Sequence, residues 1–209
     1  LEIVCFFCQV PSGVLADVYS RRLAVIVGIF AIGAGFILEG SIPSFPFILL
    51  AQLLWGLGAT LTDGAEQAWI TGEIGEDAVG HAFILSTQVG LVGGLLGAFV
   101  GVSLASIRLN LPVVLGGVSM AILAVFLLLF MPENGFQPAP KEERQSWREM
   151  GNTLRTGLRL VRRSTVLLTI FSIELFYGLS SEGYDRLSTA HFLADFTFPA
   201  LGSLKPVVW

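Results

Sequence analysis

The sequence predicts an all-α, polytopic membrane protein, and three observations carry that prediction. The chain of 209 residues is 54% hydrophobic and only 13% charged, with a mean hydropathy of +0.76, whereas soluble domains carry about a quarter charged residues. Its apolar residues gather in runs of spanning length, because a helix rising about 1.5 Å per residue needs roughly 20 of them to cross a hydrocarbon core of about 30 Å. Its basic residues are unevenly shared between alternate loops. This composition makes the lipid bilayer the expected solvent of much of the chain, and the formal net charge of −4 argues against nucleic acid as a partner.

Residues 1–14 read as the tail of one span whose beginning is expected upstream, since the chain opens at Leu1 inside an apolar run and no signal peptide is legible there. Cys5 and Cys8 lie in that run at C-x-x-C spacing. With His81 and His191 far off in sequence they read as thiols within the membrane, not as a metal or redox pair. Five complete spans follow: 23–38, short and aliphatic; 47–71, long and carrying acids; 82–107, rich in glycine; then 111–131 and 164–181. Pro43 and Pro46, Asn110 and Pro112, and Pro132 with Gly135, Pro138 and Pro140 mark the joins as helix breakers do.

Positive residues stay on the cytoplasmic side. Nine of the twelve lie on one side: Arg21 and Arg22 of the first loop, and seven more between Lys141 and Arg163. Only Arg108, Arg186 and Lys205 fall opposite, so the first loop and the basic linker are expected in the cytoplasm of a multi-pass cell-membrane protein. The linker, residues 133–163, starts Pro-rich and then turns helical, with Ser146 and Glu149 at capping-box spacing. Trp147, Met150, Leu154, Leu158 and Val161 then draw an apolar stripe. Amid its arginines this helix either lies on the anionic inner surface or packs its stripe on protein.

Between the first two apolar runs stands Gly13-Val-Leu-Ala-Asp17-Val-Tyr-Ser-Arg21-Arg22. This G-x-x-x-D-x-x-x-R-R pattern resembles the loop between the second and third helices of the major facilitator superfamily, with Val18 and Ser20 where that family often has a basic residue and a glycine. The resemblance implies that spans 23–38 to 111–131 are the third to sixth helices and 164–181 the seventh. Residues 1–132 would then belong to the N-terminal bundle, 133–163 would be the cytoplasmic linker, and 164–209 would hold the first helix of the second bundle and an outer loop with Glu182, Asp185, Arg186 and His191. Helix one and helices eight to twelve are expected as partners from the rest of the same protein. Gly13 would permit close helix approach, and Asp17 would meet a neighbouring helix N-terminus. Arg21 would pair with Glu73 as a conformational latch.

Two further signatures are altered. Gln52, Gly56 and Gly58 stand where the family's fourth helix often has R-x-x-x-G-x-G, so an arginine is replaced. Gly93-Gly94-Leu95-Leu96-Gly97-Ala98 keeps the small surface of the antiporters' G-P-x-x-G-G without its proline. Gly90, Gly93, Gly94 and Gly97 are equally the small residues that let membrane helices pack, whatever is transported.

Span 47–71 also carries acids. On one continuous helix Asp63, Glu66 and Glu73 would lie at roughly +20°, −40° and −60° from Gln52, one polar stripe about 80° wide. Asp63 would sit about 14 Å from Gly72, near mid-membrane, where an ionised carboxylate costs about 2.5 to 3.5 kcal/mol. Glu174 poses the same problem midway along 164–181. Asp63, Glu66 and Glu174, with Gln52 beside them, are candidates for proton or cationic-substrate handling, against the plainer reading of a hydrogen bond between helices, while Glu73 belongs to the latch. Nothing has the spacing of a nucleophile with its base, and there is no phosphate-cradling loop, so neither enzyme activity nor a cofactor or metal is expected. The resemblance implies secondary active transport of a small molecule, in a drug-efflux-like branch driven by proton exchange. An importer or uniporter of the same family, or a non-transporting membrane remnant, stands as the alternative.

Overall fold

The computed structural model describes residues 19–136, 155–156 and 159–198, together with residues 5, 8, 12, 13 and 16; for residues 182, 183, 185 and 186 it describes the backbone alone. The chain divides into two compact units, Leu1–Arg144 and Gln145–Trp209. Among the described residues the secondary structure is helical, with no strand.

In the first unit α1 is Arg21–Ser41, opened by Ser20, whose extended backbone and side chain accepting from the Leu23 N–H satisfy an otherwise orphan donor. Helix α2 is Phe45–Thr62, with Pro46 at its first turn, where a missing N–H costs nothing. Helix α3, Ala65–Ile74, follows after two residues. The expected single helix over 47–71 is therefore two. Gly64 has φ +75°, a conformation that L side chains rarely adopt, and it interrupts the ladder directly after Asp63. Gly75, at φ +82°, makes the second sharp turn and releases α4, Glu76–Ile107, with Glu76 and Asp77 at its positive end. Helix α5, Leu111–Phe130, again has a proline at its start.

Helix α1 is the hub, packed on α2, α3 and α5. Its two closest crossings are glycine on glycine. A Cβ built on Gly58 would lie 2.5 Å from the Gly28 carbonyl, and one on Gly117 would lie 2.6 Å from that of Gly33. Small residues let the backbones meet, the usual means of association where lipid removes the hydrophobic drive. Phe36 and Trp55 stack beside the first seam, their rings 5.5 Å apart. Among the described residues nothing lies within 4 Å of the built Cβ positions of the glycines expected to pack, Gly90, Gly93, Gly94 and Gly97, and no residue of α4 is buried. Among the described residues the main contacts of α4 are with α3 and α5, and they do not involve the built Cβ positions of its glycines.

The second unit contains a helical stretch over 159–163, a bend at Ser164, and α6, Thr165–Asp195. Helix α6 has 31 residues and continues through Glu182, Asp185, Arg186 and His191, which the sequence reading puts in a loop. Within it His191 Nδ1 lies 2.6 Å from Asp195 at i, i+4, a pairing that helical spacing alone supplies. Among the described residues four stretches are long and apolar enough to cross a membrane: Arg21–Ser41, Phe45–Ile74, Glu76–Ile107 and Leu111–Phe130. The apolar part of α6, Thr165–Ser181, is shorter, so four described stretches meet the length criterion where five are expected. The capping pair Ser146 and Glu149, and the linker stripe up to Leu158, lie outside the described residues.

Candidate functional site

Three helix ends meet around the arginines of the motif. Arg22 Nη2 donates to the Leu128 carbonyl at 2.5 Å, a cation placed on the orphan carbonyls and negative pole of the last turn of α5. Arg21 Nη1 donates to the Ala68 carbonyl of α3 at 3.1 Å. The chain leaving α5 returns the contact. Glu133 accepts the Arg22 backbone N–H at 3.1 Å and the Ser20 hydroxyl at 2.8 and 2.9 Å, so its carboxylate lies on the positive end of α1.

The same stretch of chain binds α3. Trp69 Nε1 donates to the Pro132 carbonyl at 2.7 Å, Glu73 accepts the Gly135 N–H at 2.7 Å, and the backbones of Gly72 and Gly135 touch. Under this polar layer Ala24, Val25, Ile26, Ala65, Ala124 and Met131 form a buried apolar floor, with Trp69 packed against it. The start of α1, α3 and the end of α5 are thus held by exposed and half-buried polar bonds above an apolar base.

Glu73 lies in this cluster, with a partner other than the expected Arg21. Its carboxylate takes the Gly135 N–H, and no ion pair joins it to Arg21 among the described residues. Arg21 passes close by, with Nη1 3.7 Å from the position a Cβ would take at Gly72. The two share a surface of α3 without meeting. Gly13 has nothing within 4 Å of its built Cβ position among the described residues, so close helix approach there is not observed. Asp17 lies outside the described residues.

Glu133 escapes the sequence reading, as does Ser20 in its actual role. The signal for Glu133 is faint: an acid one residue past the breaker Pro132, on the side of the basic residues. Ser20, which departs from the family's common glycine, is here the cap of α1 and the donor to Glu133.

The acids of the second and third helices do not form the stripe that a continuous helix would give, because Gly64 breaks the rotation between them. Gln52 Nε2 instead donates to Glu39 of α1 at 3.2 Å, toward the other end of the unit. Nearby, Asn110 Nδ2 donates to the Gly40 carbonyl at 3.0 Å and ties the start of α5 to the end of α1. Glu39 is another residue the apolar run hides. Asp63 caps α2 at the break and is exposed, and Glu66 is exposed in the first turn of α3, at its positive pole. Glu174 is exposed on α6 in the second unit. Cys5 and Cys8 are half-buried and form no disulfide; the Cys5 thiol points at the Gly56 carbonyl at 3.9 Å.

Comparison with known proteins adds an independent finding. The sequence model described as Major Facilitator Superfamily matches residues 2–204. The chain is 24% identical over 205 residues to a Bacillus subtilis (strain 168) protein named as an uncharacterized MFS-type transporter, YxaM, covering 95% of this chain and 49% of that protein. It is 30% identical over 158 residues to the multidrug resistance protein MdtG of Escherichia coli (strain 55989 / EAEC), covering 74% of this chain and 38% of that protein. It therefore spans half or less of the length of these relatives. No solved structure matches.

Proposed function

The chain belongs to the major facilitator superfamily, and from that premise we propose that it forms part of a secondary active transporter that exports a small hydrophobic molecule in exchange for protons. The observation that carries the reading is the bonded cluster of Ser20, Arg21, Arg22, Glu73 and Glu133. It stands at the end of the unit where the family motif lies, and its bonds tie the start of α1 to α3 and to the chain leaving α5, and that chain to α3. That end faces the cytoplasm, and the cluster is a latch made and broken as the protein alternates its access. On this reading the latch works through Glu133 and the Ala68 and Leu128 carbonyls, not through a direct pair of Arg21 and Glu73.

Coupling is assigned to Asp63 and Glu66 at the break between α2 and α3, with Glu174 of α6 as the acid of the second half. Interrupted membrane helices are where transporters commonly place ion and substrate sites, since the break frees backbone groups while keeping them away from lipid. An exposed carboxylate on each side of Gly64 suits a proton or a cationic cargo. The multidrug name of one relative supports export, and the small, proline-free glycine surface of α4 is compatible with it.

The test is flux. The full-length protein, reconstituted in proteoliposomes, should move a fluorescent hydrophobic cation such as ethidium against its gradient when a pH gradient is imposed, and should stop when nigericin collapses it. Transport that ignores the pH gradient would leave a uniporter; none with any hydrophobic cation or neutral dye would remove the export reading.

A further inference from the structure

We propose that α3 is a lever between two hinges, and that the chain leaving α5, residues 132–135, is the strap that holds it down. Among the described residues two have positive φ, and they stand at the two ends of this ten-residue helix: Gly64 at +75° and Gly75 at +82°. Glycine crosses between positive and negative φ with no Cβ to obstruct it, so both joints can turn while the helix between them stays wound. Nothing among the described residues lies within 4 Å of a Cβ built on either glycine. No described neighbour wedges the joints.

The strap grips one face of the lever. The Trp69 indole N–H donates to the Pro132 carbonyl, the Gly135 N–H donates to Glu73, and the backbones of Gly72 and Gly135 touch. Positions 69, 72 and 73 stand at i, i+3 and i+4, which places them side by side on a helix. The strap itself is anchored elsewhere. Glu133, between the gripping residues, takes the Ser20 hydroxyl and the Arg22 N–H, and Ser20 is buried. Farther along, α1 and α5 abut backbone to backbone at Gly33 and Gly117. Thus α1, α5 and the strap form one body, and α3 is the piece that can leave it. Arg21, which reaches the Ala68 carbonyl on a long flexible stem, can follow the helix.

Lifting the lever uncovers the apolar floor. Trp69 packs against the buried cluster that includes Met131, which is 5% exposed with α3 in place. A pull transmitted along the chain beyond Gly135 reaches the Gly135–Glu73 bond before the Glu133 anchor, so the lever is released while the start of α1 stays fastened. The cluster thereby divides into a lasting half, Ser20 and Arg22 with Glu133, and a releasable half, Trp69 and Glu73 with Pro132 and Gly135. The inference goes beyond the transport reading, and because its test needs no flux the two can fail separately.

Cysteine labelling of the full-length protein in nanodiscs tests it, with the native cysteines replaced by serine and Met131→Cys as the reporter. Gly135→Pro removes the N–H that Glu73 accepts and wedges the touching backbones. Trp69→Phe removes the indole donor and keeps an aromatic ring. Each should raise the rate of reaction with N-ethylmaleimide about tenfold, the population change that losing one such bond gives. Gly116→Ala should leave the rate at its parent value. In the same variants hydrogen exchange of amides 69–74 should stay as slow as in the parent, since a lever moves without unwinding. Unchanged labelling in either strap variant overturns the proposal. So does fast exchange across 69–74, which would mean that α3 melts instead of swinging.

Discussion

The Ser20 hydroxyl donates to both carboxylate oxygens of Glu133, at 2.8 and 2.9 Å, across 113 residues of sequence, while its oxygen accepts the Leu23 N–H at 2.9 Å. One small side chain thereby starts α1 and fastens it to the chain leaving α5. A glycine there could permit the turn but could not make either bond.

Ser20→Ala should lower stability by about 1 to 2 kcal/mol, the cost of a lost helix cap with a charged partner left behind. Thermal unfolding in detergent would register it as a fall in melting temperature. Combined with Glu133→Ala in a double-mutant cycle, it should show a coupling of about 0.5 to 3 kcal/mol. Strict additivity would mean the two residues act separately.

Adjacent glycines of α5 provide an internal control. A Cβ on Gly117 would meet the Gly33 carbonyl at 2.6 Å, whereas one on Gly116 meets nothing within 4 Å among the described residues. Gly117→Ala should thus force α1 and α5 apart and destabilise by roughly 1 to 3 kcal/mol, as overpacking does. Gly116→Ala should be neutral or gain up to about 1 kcal/mol from helix propensity. Similar melting temperatures for the pair would contradict the seam.

Gly64→Ala should cost roughly 1 to 3 kcal/mol, although space surrounds the site, because the strain lies in φ of +75° and not in contacts. Transport should slow with it if α3 swings about this point relative to α2. Stopped-flow flux with a parallel unfolding curve separates the two effects; unchanged values in both would show that the break does not need glycine.

Asp63→Asn should reduce pH-driven flux at least tenfold while leaving downhill exchange of cargo measurable, and Glu66→Gln should do so less severely. Glu174→Gln tests the second half in the same assay. If all three variants retain full dependence on the pH gradient, coupling resides elsewhere, and Glu39 with its bond to Gln52 becomes the next carboxylate to examine.

Much of the fold is legible in sequence because bilayer thickness sets a length that apolar runs must meet. Residues 23–38 and 111–131 are recovered within a few residues as α1 and α5. The break at Gly64 is not legible, since one Asp-Gly step inside 30 mostly apolar residues leaves the average hydropathy of Phe45–Ile74 high. The far half of α6 is missed for the opposite reason: Glu182, Asp185 and Arg186 end the apolar run but not the helix. At the site, the motif arginines announce themselves by spacing. Glu133 and Glu39 do not, because each matters only through a residue on another helix, and tertiary neighbours leave no local pattern. The same holds for the glycines. Six crowd α4 in sequence, yet the seams form where α1 happens to cross α2 and α5.

The glycine seams also bear on where cargo can go. At Gly28 with Gly58 and at Gly33 with Gly117 the main chains themselves abut, with room for not even a methyl group. Those two junctions are sealed walls. On the proposed transport reading, a route that parted them would have to break the closest packing of the unit, so that reading places the conduit along surfaces that α1 does not clasp.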